Sequence, residues 1–170
     1  MCSSDLIDVD GGDGAGGADG ADGAGGADGV VFALGDWFGG YALYLVGGRA
    51  HFTFARAADA LEMMTPGVLG AGHHEITVSY TVGDSGAPGR MILLVDGAEF
   101  DETSVVGTLP IAVQHGGAGL RLAWDSGFPV SSRYTPPARL EGTVHGVRVD
   151  TPGSFRSDPA DEVRAALHAD

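Results

Sequence analysis

The sequence predicts an all-β fold, an antiparallel β-sandwich of the jelly-roll type. Two glycine-containing turns, Val46-Gly47-Gly48-Arg49 and Val95-Asp96-Gly97-Ala98, suit the tight turns with positive φ angles that join hairpin strands. Apolar and polar residues alternate over residues 73–82, as expected when one face of a strand is buried. About eight short strands separated by turn residues are typical of a sandwich rather than a mixed α/β fold.

The individual strands are predicted from apolar runs and from alternation. Residues 29–35 form a short apolar run between glycines, which predicts a buried strand. The remaining strands are predicted over residues 41–46, 49–54, 73–82, 90–95, 98–103, 120–124 and 142–149. A helical turn is predicted over residues 57–63. A short C-terminal helix is predicted over residues 159–168, where Asp158 is a suitable N-cap before Pro159.

The charge of the chain limits its partners. The 170 residues carry a net charge of −14, with nine basic side chains, all arginine, against 23 acidic ones. An anionic surface repels phosphate backbones and anionic lipids, so we expect neither a nucleic acid nor a membrane as a partner. No apolar run reaches the roughly 18 residues that span a bilayer, which predicts a soluble protein, either cytoplasmic or secreted.

Residues 1–28 are predicted to be a disordered segment rich in glycine, alanine and aspartate. Over residues 11–29 no apolar side chain is larger than alanine, so little offsets the entropic cost of ordering the backbone. A calcium-binding β-roll would need a large apolar residue in each repeat. The string Cys2-Ser3-Ser4-Asp5-Leu6 matches a translated sequencing adapter, which predicts an artefactual start in a truncated gene. A sandwich domain over residues 29–153 and a tail over residues 154–170 complete the predicted organisation.

The residues suggest no catalytic centre. His73 and His74 are adjacent in a strand and point to opposite faces, so they do not share one metal ion. No Gly-x-Ser-x-Gly turn surrounds a serine, which argues against nucleophilic catalysis. Glu99 and Asp101 share a face of their predicted strand, as the carboxylates of retaining glycosidases do, although a solvated charged edge is the simpler interpretation. We therefore expect no enzyme activity and no metal or cofactor in this chain.

Four aromatic residues near the first hairpin are candidates for stacking on a sugar. They are Trp37, Phe38, Tyr41 and Tyr44. An exposed aromatic ring packs well on an apolar sugar face, whereas packing in the core is the ordinary role of such residues. An exposed Trp37 would favour a carbohydrate-binding module, and a buried Trp37 would favour a seam between two domains.

Several longer strings occur in the body of the chain. They are Gly35-Asp36-Trp37-Phe38-Gly39-Gly40-Tyr41-Ala42-Leu43-Tyr44, Gly72-His73-His74-Glu75, Leu94-Val95-Asp96-Gly97, and Asp125-Ser126-Gly127-Phe128-Pro129-Val130 with Tyr134. Together they resemble the C-terminal region of bacterial arylsulfatases of the actinobacterial type. The resemblance covers residues 29–153 and implies a concanavalin-like sandwich. Its most specific part is the Asp-x-Gly-x-Pro-Val element followed by Tyr134 and the strand over residues 142–149.

The resemblance implies a non-catalytic fragment of a sulfuric ester hydrolase. Sulfatases use a calcium ion and a formylglycine made within a Cys/Ser-x-Pro-x-Arg motif, and Cys2 lacks that proline and arginine. Both groups would belong to a catalytic domain that is absent here and is the expected partner. The residues expected at the seam with that domain, or in contact with a ligand, are Asp36, Trp37, Phe38, Asp125, Pro129 and Tyr134. The alternative function is a stand-alone carbohydrate-binding module.

Overall fold

A computed structural model describes residues 2–9, 26–56, 59–81, 87–105 and 119–150 of the chain. Within these ranges the backbone forms twelve strands and no helix. The strands are β1 (Cys2–Val9), β2 (Gly29–Asp36), β3 (Gly39–Val46), β4 (Arg49–Arg56), β5 (Asp59–Met64), β6 (Gly72–Thr81), β7 (Gly89–Val95), β8 (Ala98–Val105), β9 (Arg121–Leu122), β10 (Trp124–Asp125), β11 (Ala138–Arg139) and β12 (Gly142–Asp150). The same ranges accordingly include no helical segment of the length and apolarity needed to cross a bilayer.

Ten of the strands form two stacked five-stranded sheets. The β6 sheet has the order β12-β1-β6-β7-β8, and the β3 sheet has the order β5-β4-β3-β2-β9. Neighbouring strands in both sheets are antiparallel. β10 and β11 form a separate two-stranded ribbon. The predicted antiparallel β-sandwich is therefore confirmed.

Both predicted hairpin turns are present because their residues tolerate positive φ angles. Gly47 and Gly48 have φ angles of 56° and 70° between β3 and β4. Asp96 and Gly97 have φ angles of 51° and 77° between β7 and β8. Two consecutive positive φ angles are the mark of a type I′ turn, whose twist matches that of the strands.

The main core lies between the two sheets. In β6 the predicted alternation is present, with Ile76 and Val78 buried and Glu75 exposed. Each large side chain buried in this way contributes about 1.5–3 kcal/mol. The other large side chains of this core include Val31, Phe32, Leu43, Leu45, Phe52, Phe54, Met63, Met91, Leu93, Val95 and Val105.

The outer face of the β3 sheet carries a second, smaller core. Ala42 and Tyr44 of β3 pack there with Val130 and Tyr134, which belong to residues 126–137. We call this segment the covering loop. Since the β3 sheet is packed on both faces, its strands are nearly continuous apolar runs rather than alternating ones.

The N-terminal residues differ from the sequence analysis, which assigns residues 1–28 to a disordered segment. Cys2–Val9 forms β1, which pairs with both β6 and β12. These backbone partners are distant in the sequence, so the local composition does not indicate them. The Gly/Ala/Asp repeat over residues 10–25 and the predicted helix over residues 159–168 lie outside the described residues.

Residues 57–63 also differ from the sequence analysis, which predicts a helical turn there. Asp59–Met64 forms β5, an edge strand paired with β4. Its side chains follow a period of two, with Met63 buried, Leu61 partly buried, and Glu62 exposed. Tertiary pairing with β4 has overridden the weak helical preference of this short segment.

Candidate functional site

The turn between β2 and β3 presents two aromatic rings to solvent. Trp37 is 59% exposed and Phe38 is 48% exposed. The two rings are 5.8 Å apart between centroids at an interplanar angle of 88°, a favourable edge-to-face arrangement. We call this pair the aromatic tip. Contiguous exposed apolar surface, unlike a singly exposed apolar residue, is a feature of ligand-binding sites.

The hairpin beneath the aromatic tip is held in one conformation. One carboxylate oxygen of Asp36 accepts hydrogen bonds from the backbone N–H of Phe38 at 2.8 Å and of Gly39 at 3.2 Å. Gly35 and Gly40 are paired across the hairpin, and a Cβ atom on either would overlap a backbone carbonyl oxygen of the opposite strand. Gly35 also has a φ of 90°, which favours glycine. These features fix the backbone that carries the two rings before any ligand binds.

The other two aromatic candidates are not at the surface. Tyr44 is fully buried on the outer face of the β3 sheet. Tyr41 is partly buried against the main core, where its ring lies edge-on to Phe32 with centroids 5.9 Å apart. Core packing is therefore the role of these two tyrosines.

Asp125 and Tyr134 come together in a buried polar cluster. Asp125 is only 1% exposed, and it accepts hydrogen bonds from the Tyr134 hydroxyl at 2.6 Å and from the Arg121 guanidinium at 2.8 Å. The backbone N–H of Ser126 also donates to it at 2.7 Å. Burial, with the hydrogen bond to Asp125, raises the pKa of the Tyr134 hydroxyl far above its ordinary value. Because Ser126 and Tyr134 both belong to the covering loop, their hydrogen bonds to the Asp125 carboxylate anchor this loop.

This cluster is separate from the aromatic tip. Leu122 pairs with Phe32, so the antiparallel chain from Leu122 to Asp125 runs toward Gly29 and away from Trp37. Pro129 is partly buried in the covering loop, next to Val130, whose N–H donates to the Tyr134 hydroxyl at 3.2 Å. The six predicted site residues thus form two groups, with Asp36, Trp37 and Phe38 in one and Asp125, Pro129 and Tyr134 in the other.

A second polar network lies under the covering loop. The Tyr44 hydroxyl donates to Ser131 at 2.9 Å and forms a 2.9 Å hydrogen bond with Thr53. The His51 ring stacks on Tyr44 at 5.4 Å between centroids. Arg133 of the loop bonds to Glu62 at 2.6 Å.

The environment of this network determines its protonation. Burial lowers the pKa of His51, and the positive charge of Arg133 lowers it further. Burial raises the pKa of the Tyr44 hydroxyl. Both groups are therefore neutral at pH 7, as the interior of a folded structure favours. Sequence reasoning did not find this network, because its members are distant in the chain.

The four histidines of the described ranges are not arranged as a metal centre. Both ring nitrogens of His74 have acceptors, Asp96 at 2.8 Å and the Gly70 carbonyl at 2.9 Å. Burial opposes a charge on His74, but these hydrogen bonds outweigh it and raise its pKa. The rings of His73 and His145 lie 5.6 Å apart. Among the described residues, no three His, Cys, Asp or Glu side chains are grouped to hold a metal ion.

The predicted carboxylate pair on β8 is not present. The pairing of β7 with β8 shifts register between Leu93 and Leu94, so Asp101 lies opposite Leu93 while Glu99 lies opposite Leu94. Adjacent strand residues face opposite sides, so Glu99 and Asp101 do not share a face. A β-bulge of this kind was not foreseen from the alternation of the sequence.

The sequence predicts one strand over residues 120–124, but the structure has two short strands there. Ala123 has a φ of 60°, which divides the segment into β9 and β10. The three apolar side chains that alternate with Arg121 and Ala123 in this segment are exposed. They are Leu120, Leu122 and Trp124, and we call them the edge strip.

Comparison with known proteins shows the fold. No family model matches the chain, and no curated protein matches it. The structure is similar to that of the mouse laminin α1 chain, domains LG4-5, with a TM-score of 0.56 and 16% sequence identity. The match covers 86% of this chain and 35% of the laminin chain.

The match is to a concanavalin-like β-sandwich, the fold expected from the sequence. At such low identity it shows the architecture alone. The comparisons with family models and curated proteins give no support to the arylsulfatase resemblance.

Proposed function

We propose that this chain is a carbohydrate-binding module of concanavalin-like fold whose ligand stacks on the aromatic tip. The observation that carries the proposal is the exposure of both Trp37 and Phe38 on a turn that Asp36 and the Gly35–Gly40 pair hold in place. The proposed role is binding without catalysis.

The physical chemistry of the tip suits a sugar. The apolar C–H face of a pyranose packs on an aromatic ring, and two rings at nearly right angles offer two contact surfaces. Because the turn is already ordered, binding costs little conformational entropy. Asp36 supplies a further acceptor for a sugar hydroxyl, since its second carboxylate oxygen has no partner among the described residues.

Glycan-array screening followed by calorimetric titration tests this proposal. We expect a neutral glycan to bind the full chain, and the double variant Trp37→Ala/Phe38→Ala to weaken binding by about tenfold or more. Phe128→Ala is the matched control, because Phe128 is 74% exposed but belongs to the covering loop. Binding that is equally strong in the double variant, or no binding of any glycan, would refute the proposal.

A second candidate function is a seam with a companion domain, as the arylsulfatase resemblance implies. The observation that favours it is the edge strip, which together with Phe128 leaves four large apolar side chains in solvent. A catalytic domain packed there would remove them from water. In that case calcium and formylglycine would be held by the companion domain.

The genomic DNA upstream of the codon for Gly29 tests this second candidate. An open reading frame that encodes Cys-x-Pro-x-Arg would support it, and a stop codon followed by a genuine start would exclude it. An assay with an aryl sulfate tests the non-catalytic role directly, because we expect the isolated chain to show no turnover.

A further inference from the structure

An exposed arginine lies beside an exposed tryptophan at the β10–β11 ribbon. Trp124 and Arg139 are directly paired across the ribbon, and the Arg139 guanidinium carbon is 6.0 Å from the centroid of the Trp124 ring. Trp124 is 39% exposed, and Arg139 is also exposed. This geometry places a fixed positive charge next to an apolar aromatic surface.

Arg139 differs from most other arginines of the described residues in lacking a carboxylate partner there. Arg90, Arg121, Arg133 and Arg148 all form ion pairs with Asp or Glu. The chain has a net charge of −14, so carboxylates are abundant on its surface. A guanidinium without a carboxylate partner in the described ranges has hydrogen-bond donors to offer an external anion.

The buried Asp125 cluster holds this site in place. Asp125 pairs with Arg121, whose guanidinium also donates to the carbonyl of Ser126 and lies 5.4 Å from the Trp124 ring centroid. The N–H of Leu140, next to Arg139, donates to the carbonyl of Ala123 at 3.0 Å. The guanidinium groups of Arg121 and Arg139 thus both lie against the Trp124 ring, and that of Arg121 is already paired with Asp125.

We propose that Trp124 and Arg139 form a binding site for a carboxylate-bearing sugar residue. The planar guanidinium matches a carboxylate with two parallel hydrogen bonds, while the exposed part of the Trp124 ring contacts the apolar face of the sugar. The site lies away from the aromatic tip and does not depend on it. Failure of the proposal for either sugar site therefore leaves the other standing, whereas a companion domain packed on the edge strip would cover Trp124 and exclude this site.

Fluorescence titration of the Trp37→Phe variant tests the site. The chain has two tryptophans, so in this variant Trp124 is the only one left and its emission reports on the site alone. The probes are an oligogalacturonate, its neutral methyl ester, a sulfated oligosaccharide and a glutamate oligopeptide. We expect the oligogalacturonate to change the Trp124 emission saturably, with an affinity that falls as salt is added. We expect binding of the methyl ester to be weaker by about tenfold or more.

Two arginine variants in the same background separate the site from general charge effects. Arg139→Gln should weaken oligogalacturonate binding by about tenfold. Arg148→Gln removes the same charge from β12 in the β6 sheet and should leave binding within about twofold. Equal binding of the methyl ester, no effect of Arg139→Gln, or no saturable binding would overturn the proposal. Preference for the sulfated sugar or the glutamate peptide would also overturn it.

Discussion

The outer faces of the two sheets differ, because one is covered by a loop and the other is in contact with solvent. The covering loop buries the outer face of the β3 sheet, so Tyr44 and Thr53 are almost inaccessible, and the Tyr44 hydroxyl bonds to both Thr53 and Ser131. The outer face of the β6 sheet is solvated, and Arg90 there pairs with Glu99 and Glu102. Buried polar groups must be satisfied internally, whereas exposed charges are satisfied by water.

The same difference applies to two histidines. His51 is buried beside Arg133 in the covered network, and its pKa is lowered. His74 lies at the end of β6 with two acceptors, and its pKa is raised. The pKa values of two identical side chains are therefore shifted in opposite directions by their surroundings.

The largest expected effect comes from truncating the covered face. Tyr44→Ala should reduce the free energy of unfolding by about 3–5 kcal/mol, since it leaves a cavity and removes the partner of Thr53 and Ser131. Urea denaturation measures this loss. Ser104→Ala, at an exposed position of β8, is the control and should change stability by less than about 0.5 kcal/mol. Similar losses in both variants would remove the contrast between the two faces.

Tyr134→Phe should have the next largest effect. It removes one hydrogen bond from the buried Asp125 and leaves the N–H of Val130 without its acceptor, at a cost of about 1–3 kcal/mol. A double-mutant cycle with Asp125→Asn, followed by urea denaturation, measures the coupling. If the two losses simply add, Asp125 and Tyr134 do not act as one unit.

The pH dependence of stability should differ in sign between the two histidines. Because the pKa of His51 is lowered from 6.5 in the folded state, the unfolded chain binds a proton at this histidine more readily than the folded chain does. His51 therefore reduces the free energy of unfolding as the pH falls below 6.5. His51→Gln should therefore remove part of the loss of stability between about pH 7 and pH 5, measured by urea unfolding at each pH.

His74 should behave in the opposite way. Because the pKa of His74 is raised in the folded state, protonated His74 stabilises the fold. This stabilisation is complete below pH 6.5 and is lost as the pH rises through the folded-state pKa. Burial would raise the pKa of Asp96, but hydrogen bonds from the Glu75 backbone N–H and from His74 outweigh it and lower the pKa. The stability that the Asp96 carboxylate contributes is therefore lost as the pH falls through the range below 3.8. His74→Gln should thus be most destabilising between these limits. A penalty that grows toward pH 8 would contradict this assignment.

The smallest effect is expected on the solvated face. Arg90→Ala removes an exposed side chain and its ion pairs, which water and salt screen, so the midpoint of urea unfolding should not change measurably. A loss comparable with that of Tyr134→Phe would mean that the outer face of the β6 sheet also depends on its polar contacts.

The candidate site could be predicted only in part. The string Asp36-Trp37-Phe38-Gly39-Gly40 is a local turn signal, since Asx residues and glycines favour turns, and the structure has a turn there between β2 and β3. Exposure of Trp37 was not predictable, since aromatic residues more often pack in the core. Arg139 next to Trp124 was not foreseen, because the two residues meet only through the pairing of β10 with β11.

What the amino-acid sequence determined by itself was local. The positive φ angles at Gly47 and Gly48 and the period of two in β6 depend on neighbouring residues, so the hairpins and the sandwich could be inferred. The bulge that separates Glu99 from Asp101, the strand at β5 and the burial of Asp125 were decided by the tertiary structure. These features arise from backbone pairing and packing between segments far apart in the chain, which no local pattern encodes.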